Sequence, residues 1–246
     1  MTTTVATEAT FVAAHSIIEL SARHPLAARA LLDPQDMHRL VMSGFHGWVP
    51  DGEPDARAQL GVLHTYALDL KTETITLVVQ SKLPPDWSRL PKAALLDKPH
   101  SITADITLRP GRRLRFRTTI NPVRDRVPAG APTTTPQERR RLPDTTPAHA
   151  KRWFGERLQP AGTPPVGPTG VRRIGAHAPE PDYAVRMLPK LRSTGTRNLH
   201  ITRAEAHGHL TITDPTALAA ALTTGIGKGR AYGCGLLLVK EEPTTT

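Results

Sequence analysis

The sequence predicts an α+β protein made of two tandem units, each with the element order βαββαβ. Two observations indicate this class. Apolar, β-branched runs typical of strands recur along the chain, and each half contains a helix that starts with an Asp-Pro pair. This element order is the ferredoxin-like pattern, and it occurs once on each side of residue 110. We therefore expect an N-terminal domain over residues 1–110 and a C-terminal domain over residues 111–246.

The first unit is assigned from its apolar patterning. It opens with the strand-like run FVAAHSIIEL. The stretch DPQDMHRLVMSGFHGW follows as a helix, with Asp33 as N-cap, Pro34 at the first helical position and apolar residues every three or four positions. Three further strands are predicted in GVLHTYALDL, ETITLVVQS and SITADITL. The connection LPPDWSRLPKAALLD before the last of them holds at most a short helix.

The second unit repeats this order. The strand RRLRFRTTINPV ends at Pro122, and a long loop dense in Pro and Arg, RVPAGAPTTTPQERRRLPDTTP, separates it from the helix TPAHAKRWFGERL. The strands VRMLPKLR and NLHITRAEAHGHLTIT are joined by the turn signal STGT. The helix DPTALAAALTTG, with Asp214 as N-cap and Pro215 at its first position, leads to the closing strand CGLLLV.

A glycine-rich, positively charged stretch, TGIGKGRAYGCGLLLV, runs into the closing strand. It is not a Walker phosphate loop, because Gly229 stands where Ser or Thr must follow the lysine. A dinucleotide fingerprint is also excluded, because that motif follows a strand and opens a helix, the reverse of the order here. Free backbone N–H groups beside Lys228 and Arg230 suit a phosphate-rich polymer instead. Cys234, beside the strand, is predicted to be a small buried residue.

The net charge of +10 is concentrated in the middle of the chain. Residues 109–203 contain 20 Lys or Arg and 6 Asp or Glu, whereas residues 1–108 contain 9 and 12, and residues 204–246 contain 3 and 4. Concentrated basic charge favours a polyanionic partner, most often a nucleic acid, although a solvated arginine-rich surface is the simpler alternative. Aromatic residues make up only 4%, which argues against a single-strand reader that stacks bases on aromatic side chains.

Several classes of protein are disfavoured by what the sequence lacks. The single cysteine permits no internal disulfide, and no Cys and His residues have the spacing of a zinc site. The start MTTTVATEAT lacks the basic and apolar regions of a signal peptide, and no apolar run is long enough to span a membrane. We therefore expect a cytoplasmic protein with no membrane partner, metal or cofactor.

Four stretches in order along the chain resemble the repeat-associated RNA-binding superfamily of CRISPR systems and, within it, the CasE family. DPQDMHRLVMSGF resembles that family's first helix, which carries a catalytic histidine in a D-P-x-x-φ-H-R setting. LRFRTTINPVRD, AKRWFGERLQPAGT and GIGKGRAYGCGLLLV resemble its R-F-R-x-x-x-N-P stretch, its tryptophan-containing helix and its glycine-rich signature. The ordered combination, from Asp33 to Val239, is more specific than any one stretch.

The resemblance implies a metal-independent endoribonuclease of antiviral defence. Such an enzyme binds the hairpin in each repeat of a CRISPR precursor RNA and cuts at the 3′ base of the stem. The ribose 2′-hydroxyl attacks the adjacent phosphate, which leaves 2′,3′-cyclic phosphate and 5′-hydroxyl ends. The enzyme then stays on the mature crRNA with the other subunits of the Cascade complex.

His38 is the catalytic residue that the resemblance implies. Its chemistry fits, because an imidazole titrates near neutral pH and can move a proton to or from a ribose oxygen. The other ten histidines are assigned surface or structural roles. The family usually has a Tyr three residues before its histidine, where this chain has Gln35, whose amide cannot transfer a proton. Either His38 acts with positioning groups alone, or a tyrosine from elsewhere, such as Tyr232, takes that role.

RNA contacts are expected from the first helix, from the basic hairpin RMLPKLRSTGTRNLH and from the glycine-rich stretch. The family's hairpin enters the groove of the RNA stem, where recognition is mostly of shape and phosphate. The residues predicted to bind RNA are Gln35, Arg39, Lys190, Arg192, Arg197, Gly227, Lys228, Gly229, Arg230 and Gly233. A tight turn with positive φ also explains the glycines, and a solvated hairpin also explains the cations.

Two alternatives stay open on the sequence. The first is a non-catalytic crRNA-binding subunit of the same superfamily, which the absence of the family's Tyr favours and His38 disfavours. The second is a scaffold that binds no RNA and whose basic charge is incidental.

Overall fold

The computed structural model describes residues 7–50, 53–126, 140–143, 146–193 and 199–242. The structure contains two large antiparallel sheets, one in each half of the chain. In each sheet the first strand of the unit pairs with the last strand on one side and with the strand before the last on the other. This order, with the crossover helices described below, is that of two tandem ferredoxin-like units, as the sequence predicts.

The N-terminal sheet has the order β2-β3-β1-β4, and every pair in it is antiparallel. Its strands are β1 (Ala9–Ser21), β2 (Leu63–Asp69), β3 (Thr74–Ser81) and β4 (His100–Leu108). All four coincide with the segments predicted as strands to within two residues at either end. Only a 3-10 helical turn, Lys92–Ala94, stands between β3 and β4, consistent with the prediction of at most a short helix there.

Helices occupy the crossover between β1 and β2. They are α1 (Pro25–Leu32), α2 (Pro34–Met42) and the short α3 (Ala56–Gln59), with a 3-10 turn at Ser43–Phe45. Helix α2 is the predicted one, and it ends at Met42 rather than continuing to Trp48. Helix α1 was not predicted, because its N-cap is a histidine, His24, and only Asp33 separates it from α2.

The C-terminal sheet has the order β11-β5-β10-β9, with the two-residue strand β8 pairing the far end of β10. Its elements are β5 (Arg113–Ile120), α4 (Pro147–Gly155), β8 (Ala176–His177), β9 (Tyr183–Arg192), β10 (His200–Ile212), α5 (Pro215–Thr224) and β11 (Leu237–Glu241). Asp214 caps α5 by accepting from the N–H of Ala217 at 3.0 Å, as its Asp-Pro start predicts. Of the predicted turn STGT, only Ser193 lies within the described residues.

The prediction that the segment between β5 and α4 is a loop throughout is partly wrong. Val123–Arg126, which form β6, pair antiparallel with Arg140–Pro143, which form β7, so its two ends make a hairpin. The sequence suggests no strand at Arg140–Pro143, because three arginines in succession precede its apolar residue. Residues 127–139 and 144–145 lie outside the described part of the chain.

The two units share buried surface. The N-terminal core lies between its sheet and helices α1 and α2, around Ile18, Leu77 and Met37. The C-terminal core, by contrast, includes Phe11 and Leu108 from the N-terminal sheet, and α5 packs on β1 and β4. No helix in the described part of the chain is long and apolar enough to cross a membrane. Strand β4 ends just before residue 110 and β5 begins just after it, and the division at that residue stays a prediction.

Candidate functional site

Helix α2 holds His38 at the wall of a cavity of ≈ 510 Å³. The helix starts at Asp33, whose Oδ1 accepts from the N–H of Gln35 at 2.8 Å. Met37 and Val41 bury its apolar face, which leaves His38 half-buried on the cavity side. The cavity is also lined by His46, Glu53, Asp55, Arg57, Arg89 and Ala231. The N-cap and the amphipathic pattern, both visible in the sequence, therefore fix where this imidazole lies.

The surroundings of His38 keep its imidazole neutral near pH 7. Burial, then the positive charges of Arg57 and Arg39, lower the pKa of His38, and a backbone hydrogen bond with Ala231 partly opposes them. Its Nδ1 is buried and has no hydrogen-bond partner among the residues described. A neutral imidazole has one nitrogen lone pair that can accept a proton, which is the requirement for a general base.

Tyr232 lies next to both His38 and Gln35. Its hydroxyl accepts from Nε2 of Gln35 at 3.1 Å, across 197 positions of sequence. Its ring meets the His38 ring edge to face, with centroids 6.3 Å apart and planes at 64°. Because Gln35 donates to the phenolic oxygen, the hydroxyl proton of Tyr232 remains available for another acceptor.

A second histidine, His64 on β2, lies close enough to His38 for the two side chains to interact electrostatically. Its burial, followed by the charges of His38 and Arg57, lowers the pKa of His64 to about 3. Sequence reasoning gave His64 only a surface or structural role, and nothing in its local pattern distinguishes it. The fold alone brings it to His38, so the site contains two neutral imidazoles.

Arg57 lines the His38 cavity, and Arg230 lies close enough to Arg57 for their charges to interact. Arg57 donates from Nη1 to the carbonyl oxygen of Val62 at 2.8 Å, and burial, then the charge of Arg230, lowers the pKa of Arg57. The Nε of Arg230 is buried and finds no partner in the described ranges. Arg230 was predicted as an RNA-binding residue, whereas Arg57, in the short helix α3, was missed. Guanidinium groups placed in this way suit a phosphate.

The three predicted site glycines of the glycine-rich stretch adopt a backbone conformation that favours glycine. At Gly227, φ is +74° and a Cβ would lie 2.7 Å from the ring of Trp153. At Gly233, φ is +79° and a Cβ would lie 3.3 Å from Tyr66. Gly229 has a similar backbone conformation, with a φ of +81°.

Lys228 is exposed on the opposite side of the stretch from His38. Cys234 is fully buried, as predicted, and burial raises the pKa of its thiol to about 12.

The basic hairpin formed by β9 and β10 presents Lys190 and Arg192 to solvent. Arg186 on the same strand forms an ion pair with Glu205, which also pairs with Arg117. Burial would raise the pKa of Glu205, but hydrogen bonds from Arg186 and Arg117 outweigh it and lower that pKa. The predicted RNA-binding residue Arg197 lies outside the described residues.

Two contacts anchor this hairpin to the N-terminal unit. Ser193, which directly follows β9, donates its hydroxyl to Oδ2 of Asp33 at 3.0 Å, so Asp33 both caps α2 and holds the hairpin. Arg203, which is buried, donates to the carbonyl oxygen of Pro189 at 3.1 Å and to the hydroxyl of Tyr66 at 3.0 Å. The basic hairpin and the helix of His38 are therefore in direct contact.

Arg39, the remaining predicted RNA contact, follows His38 on α2 and points to solvent. Its side chain is 73% exposed and pairs with Asp36 at 2.5 Å, one turn earlier on the helix. An exposed pair of this kind is easily exchanged for a phosphate, because surface ion pairs contribute at most about 1 kcal/mol.

Within the ranges that the structure describes, no group of three or more His, Cys, Asp or Glu side chains could hold a metal ion.

Comparison with known proteins gives consistent matches over nearly the whole chain. A family model described as "CRISPR associated protein" matches residues 15–241. The chain is 27% identical over 214 residues to the CRISPR-associated endoribonuclease Cse3 of Thermus thermophilus, which covers 87% of this chain and 92% of that protein.

Solved structures share the fold. Cse3 bound to a 19-nucleotide RNA matches with a TM-score of 0.66 and 25% identity, over 93% of this chain and 99% of that one. Thermus thermophilus Cse3 bound to an RNA representing a pre-cleavage complex gives 0.69 and 24%, over 94% and 99%. Cas6e from Escherichia coli K-12 gives 0.62 and 19%, over 94% and 100%.

Proposed function

The chain belongs to the CRISPR-associated protein family, and we propose that it is the endoribonuclease that processes CRISPR precursor RNA. It binds the repeat hairpin, cuts at the 3′ base of the stem without a metal ion, and stays on the crRNA as a subunit of Cascade. The observation that carries this proposal is the neutral imidazole of His38, which packs against the ring of Tyr232 and lines a cavity that Arg57 and Arg89 also line. Its relative Cse3, a CRISPR-associated endoribonuclease, supports the assignment.

In the proposed reaction, His38 accepts the proton of the ribose 2′-hydroxyl. The resulting oxygen attacks the adjacent phosphorus, the bond from phosphorus to the 5′ oxygen breaks, and the products are a 2′,3′-cyclic phosphate and a 5′-hydroxyl. The leaving oxygen takes a proton from the Tyr232 hydroxyl, whose oxygen Gln35 holds in place. Arg57 and Arg230 stabilise the charge that builds on the phosphate oxygens.

RNA binding in this proposal comes from surfaces on either side of α2. Lys190, Arg192 and Arg197 contact phosphates of the stem, and Gln35 and Arg39 lie at its base. The glycine-rich residues Gly227, Lys228, Gly229, Arg230 and Gly233 hold the backbone near the cut. The contact of Ser193 with Asp33 supports this arrangement, because it fixes the hairpin against the helix of His38.

The test is cleavage of a repeat hairpin RNA in EDTA by the wild-type chain and by His38→Ala. The wild type should yield the cyclic phosphate and the 5′-hydroxyl. The variant should bind equally well and cut about 10²–10⁴-fold more slowly, the usual contribution of proton transfer. Equal single-turnover rates would remove His38 from the reaction. Tight binding with no cleavage by the wild type would indicate the non-catalytic RNA-binding subunit.

The role of Tyr232 has its own test. Tyr232→Phe removes the proposed proton donor but keeps the ring that packs on His38, so we expect slower cleavage with unchanged hairpin affinity. An RNA with a 5′-thio leaving group needs no proton and should be cut at similar rates by both chains. A Tyr232→Phe chain that cuts the normal RNA at the wild-type rate would leave His38 acting with positioning groups alone.

A further inference from the structure

A second cavity lies on the other side of the glycine-rich stretch from His38. It measures ≈ 780 Å³ and is enclosed by the end of α4, residues 169–174, one face of α5 and residues 225–230. This volume is within the range of about 300–1,000 Å³ typical of ligand pockets. The cavity shares Gly227, Lys228 and Arg230 with the glycine-rich stretch described above, and its other walls are not part of that site.

The cavity is strongly positive. Its charged lining residues are Glu156, Arg157, Arg172, Arg173, Lys228 and Arg230, which are five cations and one carboxylate. The buried Nε atoms of Arg173 and Arg230 have no hydrogen-bond partner in the part of the chain that is described. Buried donors of this kind are costly unless a ligand or water accepts their hydrogen bonds. The charge selects an anion.

The walls suit a nucleotide rather than a simple ion. The guanidinium of Arg157 lies 3.3 Å from the centroid of the Trp153 ring and donates to that residue's carbonyl oxygen at 2.6 Å, which holds it over the indole. Arginine planes are a common surface for stacking unpaired bases. The facing wall of α5 is built of alanines, so a sugar-phosphate backbone can approach it closely.

Position links the cavity to the proposed cut site. Arg230 lines this cavity, and the next residue, Ala231, lines the cavity of His38. The two cavities therefore adjoin the same 3-10 turn, Arg230–Tyr232.

We propose that this second cavity binds the single-stranded RNA that follows the scissile phosphate; this inference rests on the proposed function. The stem itself is a double helix and is too wide for the cavity. The RNA upstream of the hairpin joins the 5′ strand of the stem, which lies across the width of the stem from the cut at the 3′ strand. The downstream strand is the segment covalently joined to the phosphate at His38 and free to bend into the cavity.

The experiment measures the affinity of the His38→Ala chain for three RNAs: the repeat hairpin alone, the hairpin with a short 3′ extension, and the hairpin with the same extension at its 5′ end. The 3′ extension should tighten binding about tenfold, as one charge-assisted contact would. Arg172→Glu and, separately, Arg173→Gln should remove that gain and leave the affinity for the bare hairpin unchanged. The salt slope of Arg172→Glu should fall by about one unit with the extended RNA only.

Arg152→Glu is the matched control, because Arg152 is exposed on α4 and does not line the cavity. A 3′ extension that adds no affinity, or a gain that survives both cavity variants, would overturn the inference while leaving the proposed function intact. A gain seen only with the 5′ extension would also overturn it. If the bare hairpin does not bind, the proposed function fails and this inference fails with it.

Discussion

At the scale of single residues, the pKa of His38 links the fold to the pH range of the proposed activity. A general base must be unprotonated, and burial together with Arg57 and Arg39 moves the pKa of His38 below its usual range. Cleavage should therefore fall at acidic pH, as the imidazole gains its proton, and should reach a plateau near neutral pH.

Arg57→Gln should move this acidic limb to higher pH. The substitution removes a positive charge that disfavours the imidazolium, so the pKa of His38 rises toward its ordinary value of 6.5. The measurement is the single-turnover rate against pH, in which the position of the limb reports the pKa and the plateau reports stabilisation of the phosphate charge. Arg57→Lys keeps the charge and should keep the limb. An unmoved limb in Arg57→Gln would show that the titrating group is not His38.

At the scale of secondary-structure elements, Asp33 joins the helix of the proposed catalytic base to the basic hairpin. One carboxylate oxygen caps α2 and the other accepts from Ser193. The two units are thus coupled at the point where the proposed chemistry and the proposed RNA contacts meet.

Asp33→Ala should lower the free energy of unfolding by about 1 kcal/mol, the usual cost of losing an N-cap. It should also speed hydrogen exchange at the end of the β9–β10 hairpin, because the Ser193 contact is lost. Ser193→Ala is the control that breaks the hairpin contact and keeps the cap. It should reproduce the faster exchange in the hairpin without affecting the start of α2. Unchanged hairpin exchange in Asp33→Ala would show that the contact between Asp33 and Ser193 does not hold the hairpin.

At the scale of the whole molecule, the distribution of charge determines how the chain meets RNA. The excess of basic residues between Arg109 and Arg203 lies in the C-terminal unit, and part of it is used internally, as in the ion pairs of Arg117 and Arg186 with Glu205. Lys190 and Arg192 are exposed on the hairpin and are the described residues best placed for phosphates of the stem.

Reversing both charges with Lys190→Glu and Arg192→Glu should weaken stem-loop binding strongly and reduce the log–log salt slope by roughly two units, about one per lost phosphate contact. Binding to an unstructured RNA of equal length should be poor in both chains. The matched control reverses Lys92 and Lys98, two exposed lysines of the N-terminal unit, and should change the salt slope little. Equal effects of the two double variants would mean that only net charge matters and that the hairpin is a solvated surface.

The sequence by itself determined the elements, because their signals are local. Alternating apolar residues mark the strands, and an Asp-Pro pair marks the start of α2 and of α5 within a few positions. The same locality explains the errors. Helix α1 lacks a standard cap, and β7 is a strand only because Val123–Arg126 pair with it.

Only the tertiary structure decided the composition of the candidate site beyond His38. Arg57 and His64 come from a short helix and a strand with no distinguishing pattern, and Tyr232 reaches Gln35 across 197 positions. Such groups interact because the two units share a buried core and fix the glycine-rich stretch against α2. The physical reason is that a pKa or a hydrogen bond depends on distance in space, which a linear pattern of residues does not contain until the chain has folded.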